Sequence, residues 1–203
     1  EAGRRITFAE MYWKNCNNPR KSGAFFSPWF GIETTDNLNL IQPVNPWVGN
    51  SWEIYNEYFQ WSPTNNKNSG SHTVQPGDEL YGSVTFDPKT NSYDIVHKDL
   101  TDGWSVTTNI PVQRAASAVN DDGGRRLWSP SPHKGPYKNY TIVYVVFEKV
   151  AQCDQYPPDD EVTFYNITVE RDGVPVETAW STAIVDDNCD NRAHIVDANT
   201  VKF

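Results

Sequence analysis

Thr163-Phe164-Tyr165-Asn166-Ile167-Thr168-Val169-Glu170 alternates side-chain character along its length and runs directly into Arg171-Asp172-Gly173-Val174-Pro175. A strand points successive side chains to opposite faces, so such alternation buries one face and wets the other, and the Asp172-Gly173 step marks the turn that follows. The run from Leu80 to Phe86 has the same character and stops at Asp87-Pro88-Lys89-Thr90-Asn91. Thr141 to Val150 is the longest β-branched and aromatic run, apolar on both parities, as expected of a central strand buried on both faces. No window carries helical spacing. Short strands separated by 14 Pro and 12 Gly predict an all-β fold, a two-sheet antiparallel β-sandwich.

A chain of 203 residues is long enough for one well-buried domain and short for two. Charged residues make up 21% and aromatics 13%, which suits a packed core with aromatic surface and excludes a disordered chain. The formal net charge of −9 repels phosphate backbones and anionic lipid, so nucleic acid is not an expected partner. No stretch approaches the roughly 20 apolar residues that span a bilayer, and no membrane insertion is expected. Residues 1–22 read as an N-terminal edge strand or arm, with Ile6 to Trp13 pairing at a sheet edge. Residues 23–203 read as one sandwich domain with long loops near 64–72 and 115–138.

Two sequons, Asn139-Tyr140-Thr141 and Asn166-Ile167-Thr168, predict glycosylation at Asn139 and Asn166 and a secreted, extracellular protein. Cys153 and Cys189 both sit in polar, Asp-rich loops where a disulfide can join them; Cys16 is then left over, either buried as a thiol or paired between chains. His72, His97, His133 and His194 are isolated in sequence and read as surface histidines, so no metal site and no cofactor are expected. Asp186-Asp187-Asn188-Cys189-Asp190-Asn191 is rich in oxygen ligands but lacks the downstream acid and flanking helices of a calcium loop, and reads as a solvated loop.

Ser27-Pro28-Trp29-Phe30-Gly31-Ile32-Glu33 followed by Leu40-Ile41-Gln42-Pro43-Val44 resembles the Trp-x-Gly-Ile-Asp stretch and the Leu-Gln segment of the glutamic peptidases, or eqolisins. The resemblance continues in order. Tyr55-Asn56-Glu57-Tyr58-Phe59-Gln60-Trp61-Ser62-Pro63 is similar to that family's Trp-Tyr-Glu-Trp-Tyr-Pro strand, and Val74-Gln75-Pro76-Gly77-Asp78-Glu79-Leu80 to its Gly-Asp-Glu-Ile turn. Leu100-Thr101-Asp102-Gly103-Trp104-Ser105-Val106 resembles its Thr-Thr-Gly-Gln-Ser hairpin, and Glu161-Val162-Thr163-Phe164 its Gly-Thr-Val-Thr-Phe strand. The resemblance implies a concanavalin A-like, jelly-roll sandwich with a substrate groove on its concave sheet.

It also implies a chemistry. In that family a Gln and a Glu hold a water; the Glu takes and returns the proton while the neutral Gln amide donates to the developing oxyanion. Gln42 matches the Gln. The Glu lies in an Ala-Glu-Trp-Ile-Val-Glu strand whose match is Val143-Tyr144-Val145-Val146-Phe147-Glu148, so Tyr144 stands at the position of the catalytic Glu and Glu148 matches the second Glu. A phenol titrates near pH 10 and cannot act as a base in acid. Glu148 is the alternative acid, sharing a face with Tyr140 and Tyr144 by parity but lying about 13 Å along the strand from Tyr144. Gln60 stands where the Tyr-Glu-Trp strand has its Glu, and Glu33 where the Gly-Ile-Asp stretch has its Asp.

By this reading Trp29, Glu33, Tyr58 and Gln60 line a groove that has lost its acids. The expected function is that of a catalytically degenerate eqolisin relative, a binding or structural module of an extracellular layer or assembly. Its expected partners are a peptide, a glycan or another extracellular protein, its own copies included. An acid endopeptidase using Gln42 with a different carboxylate, and a lectin-like carbohydrate binder, are the competing functions.

Overall fold

The computed structural model describes residues 3–21, 23–115, 118–120, 126–128, 135–150, 152–158, 161–183, 189 and 192–203. In chain order the strands are β1 (Ile6–Lys14), β2 (Phe25–Thr34), β3 (Asn39–Val44), β4 (Trp52–Gln60), β5 (Lys67–Asn68), β6 (His72–Val74), β7 (Glu79–Asp87) and β8 (Ser92–Asp99). They continue as β9 (Trp104–Pro111), β10 (Ala118–Asn120), β11 (Arg126–Trp128), β12 (Tyr140–Val150), β13 (Thr163–Arg171), β14 (Val174–Pro175), β15 (His194–Asp197) and β16 (Thr200–Lys202). A 3-10 turn lies at Cys153–Gln155.

Two antiparallel sheets face each other. An eight-stranded sheet runs β15-β16-β13-β1-β7-β8-β9 with β14 attached to β13, and a six-stranded sheet runs β12-β2-β3-β4-β5 with β6 attached to β4. β10 and β11 form a separate hairpin inside the long 115–138 segment, most of which lies outside the described residues. The oxygen-rich 186–191 loop lies outside them as well, apart from Cys189.

Alternation builds the core between the sheets. In β4, Trp52, Ile54, Asn56, Tyr58 and Gln60 are buried while the residues between them are half-buried, the signature of one face packed and one facing a groove. Trp13 packs against Phe164 of its own sheet at 5.4 Å between ring centroids and against Phe30 of the opposite sheet at 6.3 Å. Its indole Nε1 donates to Asn45 Oδ1 at 3.2 Å, so the buried N–H is satisfied. The sheets approach closely at Gly82, where a Cβ would lie 2.6 Å from the Phe30 ring and 2.7 Å from Pro43.

Two strand placements differ from expectation. β1 is a strand, but it lies between β13 and β7 and not at an edge. Ile6, Ala9, Met11 and Trp13 are fully buried, and a peripheral strand could not cover them. β12, expected to be central, pairs only with β2 and ends the six-stranded sheet. Its outward residues Tyr144, Glu148 and Val150 are exposed, as an edge strand allows. A bulge between Tyr140 and Ile142 also breaks the parity argument. Tyr140 is 1% exposed and packs on Tyr93 in the core, whereas Tyr144 is 36% exposed on the opposite face.

Cys153 and Cys189 form a disulfide with a Cα–Cα distance of 5.1 Å, and Cys16 is a buried thiol. His97, read as a surface residue, is fully buried against the Trp13 ring at 5.3 Å, and burial lowers its pKa to about 3. It sits in β8 at an inward position that its polar neighbours in sequence conceal.

Candidate functional site

Strand register assembles a row of side chains across the outer face of the six-stranded sheet. Tyr144 of β12 lies opposite Gly31 of β2. The pairs Trp29↔Val44 and Ile32↔Ile41 place Gly31 opposite Gln42, and Gln42 of β3 lies opposite Glu57 of β4. Glu57 in turn pairs with Asn68 of β5. Gly31 is needed at the centre of this row. A Cβ there would lie 2.8 Å from the Ile41 carbonyl oxygen and 3.0 Å from both Gln42 Cβ and Leu40 Cδ1.

Gln42 is 5% exposed, and its Nε2 donates to Glu57 Oε2 at 2.5 Å. Its Oε1 is buried and accepts no hydrogen bond. Burial raises the Glu57 pKa above the ordinary carboxylate value; the Gln42 hydrogen bond opposes this and the Glu148 charge adds to it. The Trp29 indole Nε1 donates to Glu148 Oε2 at 3.0 Å. Tyr55, on the same face as Glu57, is pushed up to about 12 by burial and by the charges of Glu57, Glu53 and Glu148.

On the other side of Gly31, the Tyr144 hydroxyl donates to Glu33 Oε2 at 2.9 Å, and Asn37 Nδ2 donates to the same oxygen at 2.7 Å. Partial burial and the Glu33 hydrogen bond push Tyr144 up to about 12, so it is a fixed proton donor throughout the acidic and neutral range.

Trp29, Glu33, Gln42, Tyr144 and Glu148 thus share the outer face. Tyr58 and Gln60 do not. Both face the sandwich interior, where Asn39 Nδ2 donates to the Tyr58 hydroxyl at 2.6 Å and to Gln60 Oε1 at 3.0 Å, and Tyr58 donates to Gln60 Oε1 as well. Two acids of this strand face outward, Glu53 and Glu57, and Glu57, three residues before Gln60, is the one that meets Gln42. An odd step along a strand moves a side chain to the other face, so Gln60 and Glu57 lie on opposite faces of β4. The signal was present in Trp52–Gln60, where Glu53, Tyr55, Glu57 and Phe59 share one parity.

An antiparallel two-sheet sandwich of this kind is the fold of the glutamic peptidases. The structure superposes on scytalidoglutamic peptidase bound to a peptide-based transition-state analogue, with TM-score 0.62, 15% identity and 99% of this chain aligned to 93% of that one. It superposes on SCP-B, an eqolisin-family peptidase in complex with the tripeptide Ala-Ile-His, with TM-score 0.57, 16% identity and coverage of 99% and 92%. For aspergilloglutamic peptidase from Aspergillus niger the values are 0.56, 16%, 88% and 96%. No protein-family sequence model and no curated protein sequence matches the chain.

Proposed function

We propose that this chain is a non-hydrolysing relative of the glutamic peptidases that binds an extended peptide in its groove and serves as a binding or structural module outside the cell. The observation that carries this is the row Tyr144–Gly31–Gln42. Two strand spacings, about 9 to 10 Å, separate the Tyr144 and Gln42 backbones, with no side chain between them. A carboxylate at position 144 would hold a water against the Gln42 amide across this gap, as the family chemistry requires. Tyr144 instead donates its proton to Glu33 and has no proton-accepting capacity in acid.

Peptide binding rests on the half-buried Trp29 indole and the partly exposed Tyr144 ring on one outer face, which suit the side chains of an extended chain. The peptide analogue and tripeptide in the two similar structures support it. Extracellular placement rests on the disulfide and on Asn166, which is exposed at a left-handed position in β13. Asn139 is half-buried, and its Nδ2 already donates to Gly3 O at 2.8 Å.

One observation favours the competing reading of an acid endopeptidase. Glu57 is a carboxylate of raised pKa within hydrogen-bond reach of Gln42. It ranks second because the two side chains rise from directly opposed residues, whose Cβ atoms lie about 5 Å apart, and they bond to each other at 2.5 Å. A water and a scissile carbonyl do not fit between them without breaking that bond. Incubating the protein with a peptide library at acidic and neutral pH, and following both retention and fragmentation by mass spectrometry, tests the proposal. Retention without fragments is expected; fragments lost on Glu57→Gln would establish the second reading.

A further inference from the structure

His72, Asp99 and Asp102 come together at one end of the sandwich, away from the Gln42 row. His72 opens β6, which hangs on β4 of the six-stranded sheet, whereas Asp99 ends β8 and Asp102 lies in the tight turn to β9. His72 Nε2 lies 2.7 Å from Asp102 Oδ2 and 3.6 Å from Asp99 Oδ2, and the three atoms all lie within 4.8 Å of one another. The His72 ring stacks on Trp104 at 4.6 Å with 7° between planes, which fixes the direction of its nitrogens.

The buried acid is the informative member. The Asp99 side chain is 1% exposed. Its Oδ1 accepts from the backbone N–H groups of Thr101 at 2.9 Å and Asp102 at 3.3 Å, which locks the carboxylate in place. Its Oδ2 accepts no hydrogen bond and points at the imidazole, and the His72 Nε2 contacts themselves lack hydrogen-bond geometry. A buried, oriented carboxylate oxygen with no donor is costly unless a cation compensates it.

We propose that His72, Asp99 and Asp102 bind a divalent transition-metal ion, Zn2+ above all, and that the ion clamps the β8–β9 turn to β6. One imidazole and two carboxylates are a borderline-to-hard donor set suited to Zn2+, Co2+ or Mn2+, with a remaining position for water. Ligands of a tetrahedral Zn2+ at about 2.0 to 2.1 Å lie about 3.3 Å apart, close to the His72–Asp99 spacing. Asp102, whose side chain is 48% exposed, has room to open from 2.7 Å by the remaining fraction of an ångström. β7 and β8 separate His72 from Asp99 in sequence and a turn separates Asp99 from Asp102, so no ligand spacing announces them.

The test uses the full chain, stripped with EDTA and titrated at neutral pH with Zn2+ by calorimetry and with Co2+ by visible absorption, alongside thermal unfolding. One ion per chain, the intense visible bands of low-coordinate Co2+ and a Zn2+-dependent rise in Tm are expected. Asp99→Asn retains the Oδ1 acceptor for the turn and should fold, yet weaken Zn2+ binding at least tenfold; His72→Gln should do the same. Absence of saturable binding, or binding undiminished in both variants, would overturn the site and leave the cluster as an ion pair of protonated His72.

Discussion

Tyr144 and Gln42 occupy one row of the six-stranded sheet with only Gly31 between them. Position 144 thus lies one strand beyond Gly31 from Gln42 on the same outer face, where the Tyr144 hydroxyl turns to Glu33. Glu57 completes the row on the far side and holds the Gln42 amide directly.

Gly31→Ala should damage both fold and groove. The added methyl meets the Ile41 carbonyl and Gln42 Cβ at 3.0 Å or less, and neither is a flexible chain end. Overpacking of this kind costs about 1 to 3 kcal/mol, or roughly 2 to 4 °C of Tm per kcal/mol in a domain of this size. Peptide retention should fall with it, checked by thermal unfolding and by the binding assay on the same preparation.

Gln60→Ala should behave as a core substitution and not as a groove substitution. Its Oε1 accepts from Asn39 and Tyr58, and its Nε2 donates to Pro63 O at 2.6 Å, so truncation strands buried partners at a cost of about 1 to 3 kcal/mol. Denaturant unfolding should show the loss while peptide affinity of the folded fraction stays unchanged.

Glu57 makes stability depend on pH with a definite sign. Its folded pKa is raised, chiefly by burial, so the folded state holds this proton to higher pH than the unfolded chain does. This group therefore costs nothing below the ordinary carboxylate range and destabilises the fold as pH rises through its folded pKa. Glu57→Gln should raise Tm at neutral pH, and the difference should vanish in strong acid. A variant less stable than the parent at neutral pH would show that the Gln42 hydrogen bond to the charged form outweighs burial.

Removing the Cys153–Cys189 bond by a double Ser substitution releases a loop of 36 residue steps. Loops of this size are worth about 2 to 4 kcal/mol, and equilibrium unfolding of the oxidised parent against the variant measures it.

Much of the architecture was legible because alternation is a local signal. Trp52–Gln60 and Thr163–Arg171 declare their faces residue by residue, and the two loop cysteines pair as their setting suggests. What failed was whatever depends on neighbours in space. Thr141–Val150 looks central because both parities carry apolar residues, yet it ends the six-stranded sheet. Tyr140 was misplaced by a bulge that leaves no mark in composition. Glu57 lies on the face of β4 opposite Gln60, a difference fixed by strand geometry, and the His72 cluster depends on β6 meeting the β8–β9 turn.

Hydrolysis of an acid-denatured protein substrate, followed through the carboxylate titration range for the unmodified chain and for Tyr144→Glu, tests the central claim most directly. No cleavage by the unmodified chain is expected at any pH, since Tyr144 stays protonated and bonded to Glu33, and trace cleavage is expected of the variant, abolished again by adding Gln42→Ala. Acid proteolysis by the unmodified protein that disappears on Gln42→Ala would contradict it and make Glu57 the working base.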